Sequence, residues 1–244
     1  MIRSFLVLIF CCLSTLLTQT HAQDIVVQPK DYQQFWIWGD ISTNYDMRKA
    51  QELYILQGQV SLNRSSNQSV LIRQGIAPRT LKKQGIWVVI RSHHLAWSEH
   101  DYAQVTKVLA QWKQRGNHVI GLQIDFDSPT NSMYNYARFL ETLRGKLPLD
   151  YKLSITGLMD WVNITEVRTL NLLKENIDEI VFQSYYGTRT HVSYQKYLAQ
   201  VPQLGIPFKV GIVENGRFNP QLPYRHSPLF KGHIVFLLRS KSRI

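Results

Sequence analysis

The stretch Val119-Ile-Gly-Leu-Gln-Ile-Asp-Phe-Asp127 combines the pattern of a buried β-strand with a concentration of polar groups. Alternation with a period of two places Gln123, Asp125 and Asp127 on one face of the strand and only apolar residues on the other. Because carboxylates and amides are costly to bury against apolar helices, we expect the polar face to point away from a helix layer. The stretch therefore predicts a strand whose carboxyl end carries chemistry.

Seven further apolar runs have the composition of strands, with many β-branched and aromatic residues. From the third run onward, the centres of the runs recur about every 25 to 35 residues, which is the length of a strand–helix–strand unit. Eight strands alternating with helices predict an α/β fold, a small (β/α)8 TIM-type barrel. An open doubly wound sheet is the alternative, although the Gly-rich phosphate-binding motifs of that fold are missing. The eight runs are 35–38, 53–60, 86–90, 119–126, 153–158, 180–185, 208–213 and 234–238.

Helical signals occupy several of the intervening segments. Ser98-Glu-His-Asp101 resembles a capping box with Asp in place of Glu, and apolar residues follow at helical spacing as far as Gly116. The first helix has room only between residues 42 and 52, and no helical pattern follows the eighth run. Similar spacing predicts three more helices, over 133–147, 167–177 and 193–201.

The first 22 residues have the pattern of a secretory signal peptide. A positive charge at Arg3 precedes an apolar stretch, and Thr20 and Ala22 fit the small-residue positions before a cleavage site. We expect cleavage after Ala22, a mature barrel domain over residues 23–244, and a periplasmic or secreted location in a bacterium. An uncleaved anchor is the alternative, but the apolar stretch is short for a membrane span, so no stable insertion is expected after cleavage.

The amino-acid composition limits the classes of binding partner and of catalytic chemistry that the protein can have. With 44% hydrophobic and 18% charged residues over 244 positions, the chain is globular rather than disordered. Both cysteines lie in the signal peptide, which leaves the mature chain without disulfides, thiolate ligands or a cysteine nucleophile. The formal charge is +11, and loss of Arg3 lowers it to +10. This charge favours an anionic polymer as partner, with a merely solubilising basic surface as the alternative. Since no run of Lys and Arg exceeds two residues, nucleic-acid binding is not predicted.

The strand at 119–127 resembles the motif D-G-x-D-x-D-x-E of the chitinase-like (family 18) glycoside hydrolases. Gly121 matches the glycine of that motif, and Gln123 takes the place of its middle aspartate, where we expect it to bind substrate. Asp125 matches the last aspartate, and Asp127 stands at the position of the catalytic glutamate. Since those enzymes are (β/α)8 barrels, the resemblance implies a glycosidase-like barrel with Asp127 as its acid/base. The first acid of the motif is missing, and Asp127 is one methylene shorter than the glutamate.

A second stretch, Phe182-Gln-Ser-Tyr-Tyr-Gly187, resembles the motif M-x-Y-D of the same family. Gln183 lies at the methionine position, Tyr185 matches the tyrosine, and Tyr186 replaces the aspartate. The resemblance implies that Gln183 and Tyr185 contact the reacting sugar. The eighth run lacks the tryptophan that underlies the sugar in that family.

A broader resemblance covers most of the mature chain. It joins the aromatic first run to Glu52-Leu-Tyr-Ile-Leu56, the strand at 119–127, the stretch 153–161 and the stretch 178–185. Together these segments resemble a family of secreted bacterial proteins that is described as a domain of unknown function and is grouped with the glycosidase barrels. The resemblance implies the barrel fold and an extracytoplasmic location.

The spacing of the two aspartates suggests a role for each. Asp125 and Asp127 are separated by about 6 to 7 Å along an extended strand, so each raises the free-energy cost of ionising the other. One of the pair is then expected to hold a proton near neutral pH and to act as a general acid. We assign Asp127 as the acid/base and Asp125 as its charged partner. The alternative is that both aspartates only cap the following loop or helix.

Three further residues are candidates for sugar chemistry or binding. Glu214 follows the seventh run, and an acid on strand four with a nucleophile on strand seven is the arrangement of many retaining barrel glycosidases. The alternative for Glu214 is a surface glutamate at a turn. Trp38 and Trp161 lie at strand ends, where an indole face can stack on a sugar ring, and the alternative for both is core packing.

No metal or cofactor site is predicted. His93 and His94 are adjacent, but a metal site requires additional ligands at defined spacing, and hydrogen-bonded loop histidines are the simpler interpretation. No H-E-x-x-H and no G-x-S-x-G occurs, so zinc-protease and serine-esterase chemistry lack their usual motifs.

Three hypotheses follow, in order of preference. The first is a glycoside-hydrolase-like barrel that acts on a bacterial glycan by carboxylate acid/base chemistry, with Asp127 and Asp125 as its central residues. The second is a non-catalytic barrel that binds a glycan or polysaccharide and has lost hydrolase activity. The third is a cell-envelope protein that uses its basic surface to bind a partner. No oligomeric state is predicted.

Overall fold

The computed structural model describes residues 23–39, 46–81 and 83–238, so the predicted signal peptide lies outside the described residues. Its centre is a closed barrel of eight strands, and every pair of neighbouring barrel strands is parallel. All eight strands predicted from the sequence are present, which confirms the (β/α)8-type fold. The strands are β1 Gln34–Ile37, β2 Glu52–Leu62, β3 Gly85–Ser92, β4 His118–Asp125, β5 Lys152–Gly157, β6 Glu179–Gln183, β7 Phe208–Val213 and β8 Phe230–Phe236.

Closure of the barrel depends on the short first strand. On one side of β1, Phe35 pairs with Val235 of β8, and on the other side the same residue pairs with Leu53 of β2. The sheet therefore has no open edge between its first and last barrel strands. Strand β2 continues beyond the barrel and pairs antiparallel with an additional strand, Ser69–Arg73.

The helical layer is less complete than expected. The first helix begins at the predicted capping box, in which Ser98 and Asp101 bind each other's backbone N–H groups. In the described residues the connections β1–β2, β2–β3 and β7–β8 contain no α-helix; a 3-10 helix at Met47–Lys49 occupies part of the segment expected to be helical. The β7–β8 connection contains three prolines, which disfavour a helix. The helices are α1 Glu99–Gln114, α2 Met133–Lys146, α3 Val167–Asn176 and α4 Tyr194–Leu198, and further 3-10 helices are Pro29–Asp31, Thr130–Ser132, Met159–Asn163, Val201–Leu204 and Pro223–His226.

The N-terminal segment of the described chain packs against the β7–β8 connection. Ile25–Val26 forms a short antiparallel pair with Arg217–Phe218. The next residue, Val27, is fully buried in the large apolar cluster that surrounds the barrel wall. The N-terminal segment therefore supplies apolar contacts in a region without an α-helix.

The barrel interior carries an ionic cluster at its amino-terminal end. Lys209 donates to Glu52 (2.7 Å) and to the hydroxyl of Tyr54 (2.8 Å), and its ammonium group lies 3.4 Å from Glu179. Tyr54 in turn donates to Glu179 (2.7 Å). We call these four residues the basal cluster. Because each buried charge has a partner of opposite sign, the cluster is a structural feature of the barrel.

Candidate functional site

The carboxyl ends of β3, β4 and β5 bring a buried carboxyl group, a guanidinium group and a hydroxyl group together. Asp125 is the last residue of β4 and is only 3% exposed. Its carboxylate accepts a hydrogen bond from Thr156 of β5 (2.9 Å), and the Nε atom of Arg91 of β3 lies 3.7 Å away. Burial raises the pKa of Asp125 to about 6, although the charge of Arg91 and the hydrogen bond from Thr156 oppose the shift, and the charge of Asp127 adds to it.

Asp127 lies two residues beyond Asp125, in the loop that follows β4. Its side chain is 55% exposed, and one carboxylate oxygen lies 3.5 Å from an Nη atom of Arg91. The guanidinium group of Arg91 also lies 5.5 Å from the ring centroid of Trp38, within the range of a cation–π interaction. One guanidinium group therefore faces both aspartates, and Trp38 limits its movement on the β1 side.

The exposed carboxylate of Asp127 lines a cleft of about 430 Å³ at this end of the barrel. Tyr185 forms part of the wall, where its ring stacks on Phe236 of β8 with a centroid distance of 5.5 Å. Burial, together with the charges of Asp125 and Asp127, holds the pKa of Tyr185 well above its usual value, so its hydroxyl stays neutral. The cleft is lined by Asp127, Leu158, Met159, Asp160, Gln183, Tyr185, Tyr186, His191 and Tyr197.

The two glutamines predicted to bind substrate lie at different depths. Gln183, at the end of β6, is half-buried and lines the cleft. Gln123 is fully buried, accepts a hydrogen bond from the indole of Trp36 (2.6 Å) and donates to Ser154 (2.9 Å). The amide of Gln123 is thus occupied inside the barrel and does not line the cleft.

The two tryptophans proposed as stacking platforms also differ. Trp38 is half-buried beside Arg91, and its buried Nε1 atom has no hydrogen-bond partner among the described residues. Trp161 is fully buried, donates to the backbone of Ser128 (2.9 Å) and packs against the ring of Tyr136. Neither face of Trp161 is open to a sugar, so the expectation of a platform at that position is corrected to core packing.

Glu214 lies away from the aspartates. It continues the outward-facing series of β7, in which Phe208, Val210 and Ile212 belong to the cluster outside the barrel wall. Its carboxylate accepts a hydrogen bond from the backbone N–H of Leu238 (2.8 Å) and lines a separate cavity of about 1,020 Å³. Asp127 and Glu214 therefore line different cavities, and the structure does not bring together the expected pair of carboxylates from strands four and seven.

Several residues of the site were not identified from the sequence, and three of them carry charged or hydroxyl groups next to the aspartates or in the cleft. Arg91 and Thr156 occupy the carboxyl ends of β3 and β5, and the preference of barrel active sites for that end would have pointed to both. Asp160 lies in a 3-10 helix and accepts a hydrogen bond from Thr130 (2.7 Å). No local motif marks Asp160, because its place in the cleft depends on how the β5–α3 connection folds back.

The histidine pair does not form a metal centre with its neighbours. His93 lies next to Gln59 (3.3 Å), and His94 next to Ser69 (3.3 Å). In the described part of the chain, no group of three or more His, Cys, Asp or Glu residues is arranged to hold a metal ion. Within the same ranges, no helix combines the length and apolar character needed to cross a membrane.

Comparison with known sequences finds a match between part of the chain and the model of a domain family. The family model described as domain of unknown function (DUF3142) matches residues 90–189, which is less than half of the chain. The matched segment runs from the end of β3 to the strand Arg189–Thr190, and it contains both aspartates of the site. A search of curated proteins finds no significant match to the sequence.

Comparison with solved structures supports the fold. The spore cortex-lytic enzyme SleL from Bacillus cereus is 15% identical, with a TM-score of 0.51, and the match covers 75% of this chain and 50% of the enzyme. The xylanase and alpha-amylase inhibitor protein XAIP-II from Scadoxus multiflorus is 12% identical, with a TM-score of 0.50 and coverage of 83% and 92%. The chitinase domain of the spore coat protein CotE from Clostridium difficile is 14% identical, with a TM-score of 0.48 and coverage of 80% and 67%. The chain is thus a (β/α)8-type barrel that spans about half the length of SleL.

Proposed function

We propose that the protein is a secreted glycoside-hydrolase-like barrel that binds a bacterial glycan in the cleft beside Asp127 and hydrolyses it by carboxylate acid/base chemistry. The observation that carries the proposal is the pairing of Asp125, a buried acid with a pKa of about 6, with the exposed Asp127 at the wall of a tyrosine-lined cleft. Pairs of carboxyl groups in unlike environments are the usual source of acid and base in glycoside hydrolysis.

In the proposed reaction, Asp127 is the acid/base because its side chain reaches the cleft. It donates a proton to the glycosidic oxygen as the bond to the leaving sugar breaks, and it recovers a proton from the attacking water. Asp125 acts through Asp127: contrary to the expectation from the sequence, the raised pKa, about 6, belongs to the buried Asp125, and the charge of Asp127 adds to that shift. Arg91 lies within ion-pair distance of both carboxylates, and Gln183 and Tyr185 offer an amide and a neutral hydroxyl to the sugar.

A second candidate function is binding without hydrolysis. Two observations favour it: Arg91 faces both aspartates, and Glu214 lies in another cavity, so the cleft lacks the second carboxylate expected from β7. The similar barrels also differ in activity, since SleL is a cortex-lytic enzyme and XAIP-II is an inhibitor protein. A barrel of this kind is thus compatible with either function.

The test uses purified bacterial cell-wall glycan, with release of reducing ends and retention on the insoluble glycan measured in parallel. We expect Asp127→Asn to lower hydrolysis by about 10²- to 10⁴-fold, since this is the usual contribution of a positioned acid/base, and to leave binding largely intact. The rate of hydrolysis by the unchanged protein should change as the pH passes about 6, where Asp125 ionises, and this change should be absent in Asp125→Asn. Asp150→Asn, at an exposed pair with Lys113, is the control and should behave like the unchanged protein.

Each outcome of this test decides between the candidates. Retention without release of reducing ends would favour the binding function over hydrolysis. Hydrolysis by Asp127→Asn at the rate of the unchanged protein would remove Asp127 from the reaction. If no cell-wall glycan were retained and none were hydrolysed, the proposed function as a whole would be contradicted.

A further inference from the structure

The charge of the cleft is opposite to that of the whole chain. The protein has 28 Lys and Arg residues against 17 Asp and Glu residues, which gives a formal charge of +11. The described residues that line the cleft nevertheless include two carboxylates, Asp127 and Asp160, and one histidine, His191, but no Lys or Arg. A cleft with carboxylates in its walls concentrates cations and repels anions. An acidic sugar, which the overall charge would attract, is therefore a poor fit to the cleft itself.

Both carboxylates remain available to a ligand. The nearest Arg91 nitrogen lies 3.5 Å from Asp127, which is longer than a normal hydrogen bond between charged groups, and the Asp127 side chain is more than half exposed. Asp160 accepts a hydrogen bond from the neutral hydroxyl of Thr130 and forms no salt bridge in the described part of the chain. Among the described residues, Asp160 therefore has no cationic partner within ion-pair distance.

Aromatic rings complete the lining. Tyr185, Tyr186 and Tyr197 share the cleft with the two carboxylates, and Tyr186 is 87% exposed. The faces of tyrosine rings attract ammonium groups through cation–π interactions, and they also stack on the apolar faces of sugar rings. A ligand with both a sugar ring and an ammonium group satisfies both kinds of lining residue at once.

We infer that the cleft selects a glycan whose sugars carry free amino groups, with Asp127 and Asp160 as the residues that bind the ammonium groups. The inference rests on the proposed function, because it places the glycan in the same cleft. It separates the role of the cleft from that of the basic surface: the surface attracts anionic polymers, whereas the cleft accepts a cationic sugar unit.

A pair of matched oligosaccharides tests the inference. Titration calorimetry would compare the β-1,4-linked hexamer of glucosamine with the hexamer of N-acetylglucosamine, which has the same linkage and length but no charge. At low salt we expect the amino hexamer to bind about threefold to tenfold more tightly, as two exposed ion pairs would give. This preference should shrink as salt is raised, because exposed charges are screened.

Three variants locate the source of the preference. Asp160→Asn and Asp127→Asn should each reduce the preference for the amino hexamer by about threefold, since each removes one ammonium partner. Asp150→Asn removes an aspartate with the same 55% side-chain exposure as Asp127, but its partner is Lys113 and it lies outside the cleft. This control should leave the preference unchanged.

Tighter binding of the N-acetylated hexamer, or equal binding of both, would overturn the inference while leaving glycan binding and the proposed function in place. Equal effects of Asp160→Asn and Asp150→Asn would also overturn it, because the preference would then come from general surface charge. If neither hexamer bound, the inference would fall, and the cell-wall glycan assay would still decide the proposed function independently.

Discussion

At the residue scale, Asp125 has the environment that a proton-holding carboxyl group requires. It is nearly excluded from solvent, and Thr156 and Arg91 compensate its charge only in part. His233 has the opposite behaviour: burial among aromatic rings lowers its pKa to about 4, so it is neutral in the folded protein at neutral pH. The two residues therefore affect stability in opposite directions as pH changes.

Replacing Asp125 with Asn should change the pH dependence of stability. Folding raises the pKa of Asp125 from 3.8 to about 6, so the native state binds this proton more tightly than the unfolded chain. The resulting stability is fully present below pH 3.8 and is lost as pH rises through about 6. Relative to the unchanged protein, the free energy of unfolding of Asp125→Asn should increase by about 2.5 kcal/mol from pH 4 to pH 8, measured by urea denaturation.

The comparison between variants removes the contribution of His233, which both proteins share. Thr156→Val provides a second check, because loss of the hydrogen bond to the ionised carboxylate should raise the pKa of Asp125 further and move the loss of stability to higher pH. A constant stability difference between Asp125→Asn and the unchanged protein from pH 4 to pH 8 would show that the carboxyl group is not shifted.

At the element scale, β7 determines which charges enter the barrel. Its outward-facing residues pack beneath the surrounding elements. Because side chains alternate between the two faces of a strand, Lys209 points inward and contacts Glu52 and Glu179. Lys209 is 5% exposed, so its removal would leave the carboxylates of the basal cluster without their cation. Breaking one side of a buried ion pair in this way is strongly destabilising.

Lys209→Met should therefore destabilise the protein by about 3 to 5 kcal/mol in urea denaturation. The matched control is Lys113→Met, since Lys113 also binds a carboxylate at 2.7 Å but does so on the surface with Asp150. The control should have a denaturation midpoint close to that of the unchanged protein, because exposed pairs contribute little. Similar midpoints for the two variants would mean that the basal cluster is not a buried ionic network.

At the scale of the whole molecule, the barrel could be predicted from the sequence. Each of its eight strands is a short run of apolar residues bounded by polar turns. Closure followed from the number of strands, and the pairing of Phe35 with Val235 confirms it. The missing helices could not be predicted in detail, since short connections with prolines and 3-10 turns have no periodic signal. Residues 40–45 and 239–244, where the first helix was expected in part and where the chain ends, lie outside the described residues.

The site was predictable only where strand alternation is visible. Polar residues at every second position identified Asp125 and Asp127, whose places on β4 and in its following loop agree with that alternation. In β7 nearly every residue is apolar, so no alternation of polar and apolar residues was available to predict that Glu214 faces outward. The burial of Trp161 was hidden for another reason: an indole that packs in a core and an indole that stacks on a sugar have the same local sequence.

A structure of the protein with a bound fragment of cell-wall glycan tests most directly whether the cleft at the carboxyl ends of the strands is the glycan site. We expect a sugar ring against Tyr185, with an oxygen or nitrogen atom of the glycan within hydrogen-bond distance of Asp127. A glycan bound only in the outer cavity beside Glu214, or only at the amino-terminal end of the barrel near the basal cluster, with the cleft left empty, would contradict this assignment.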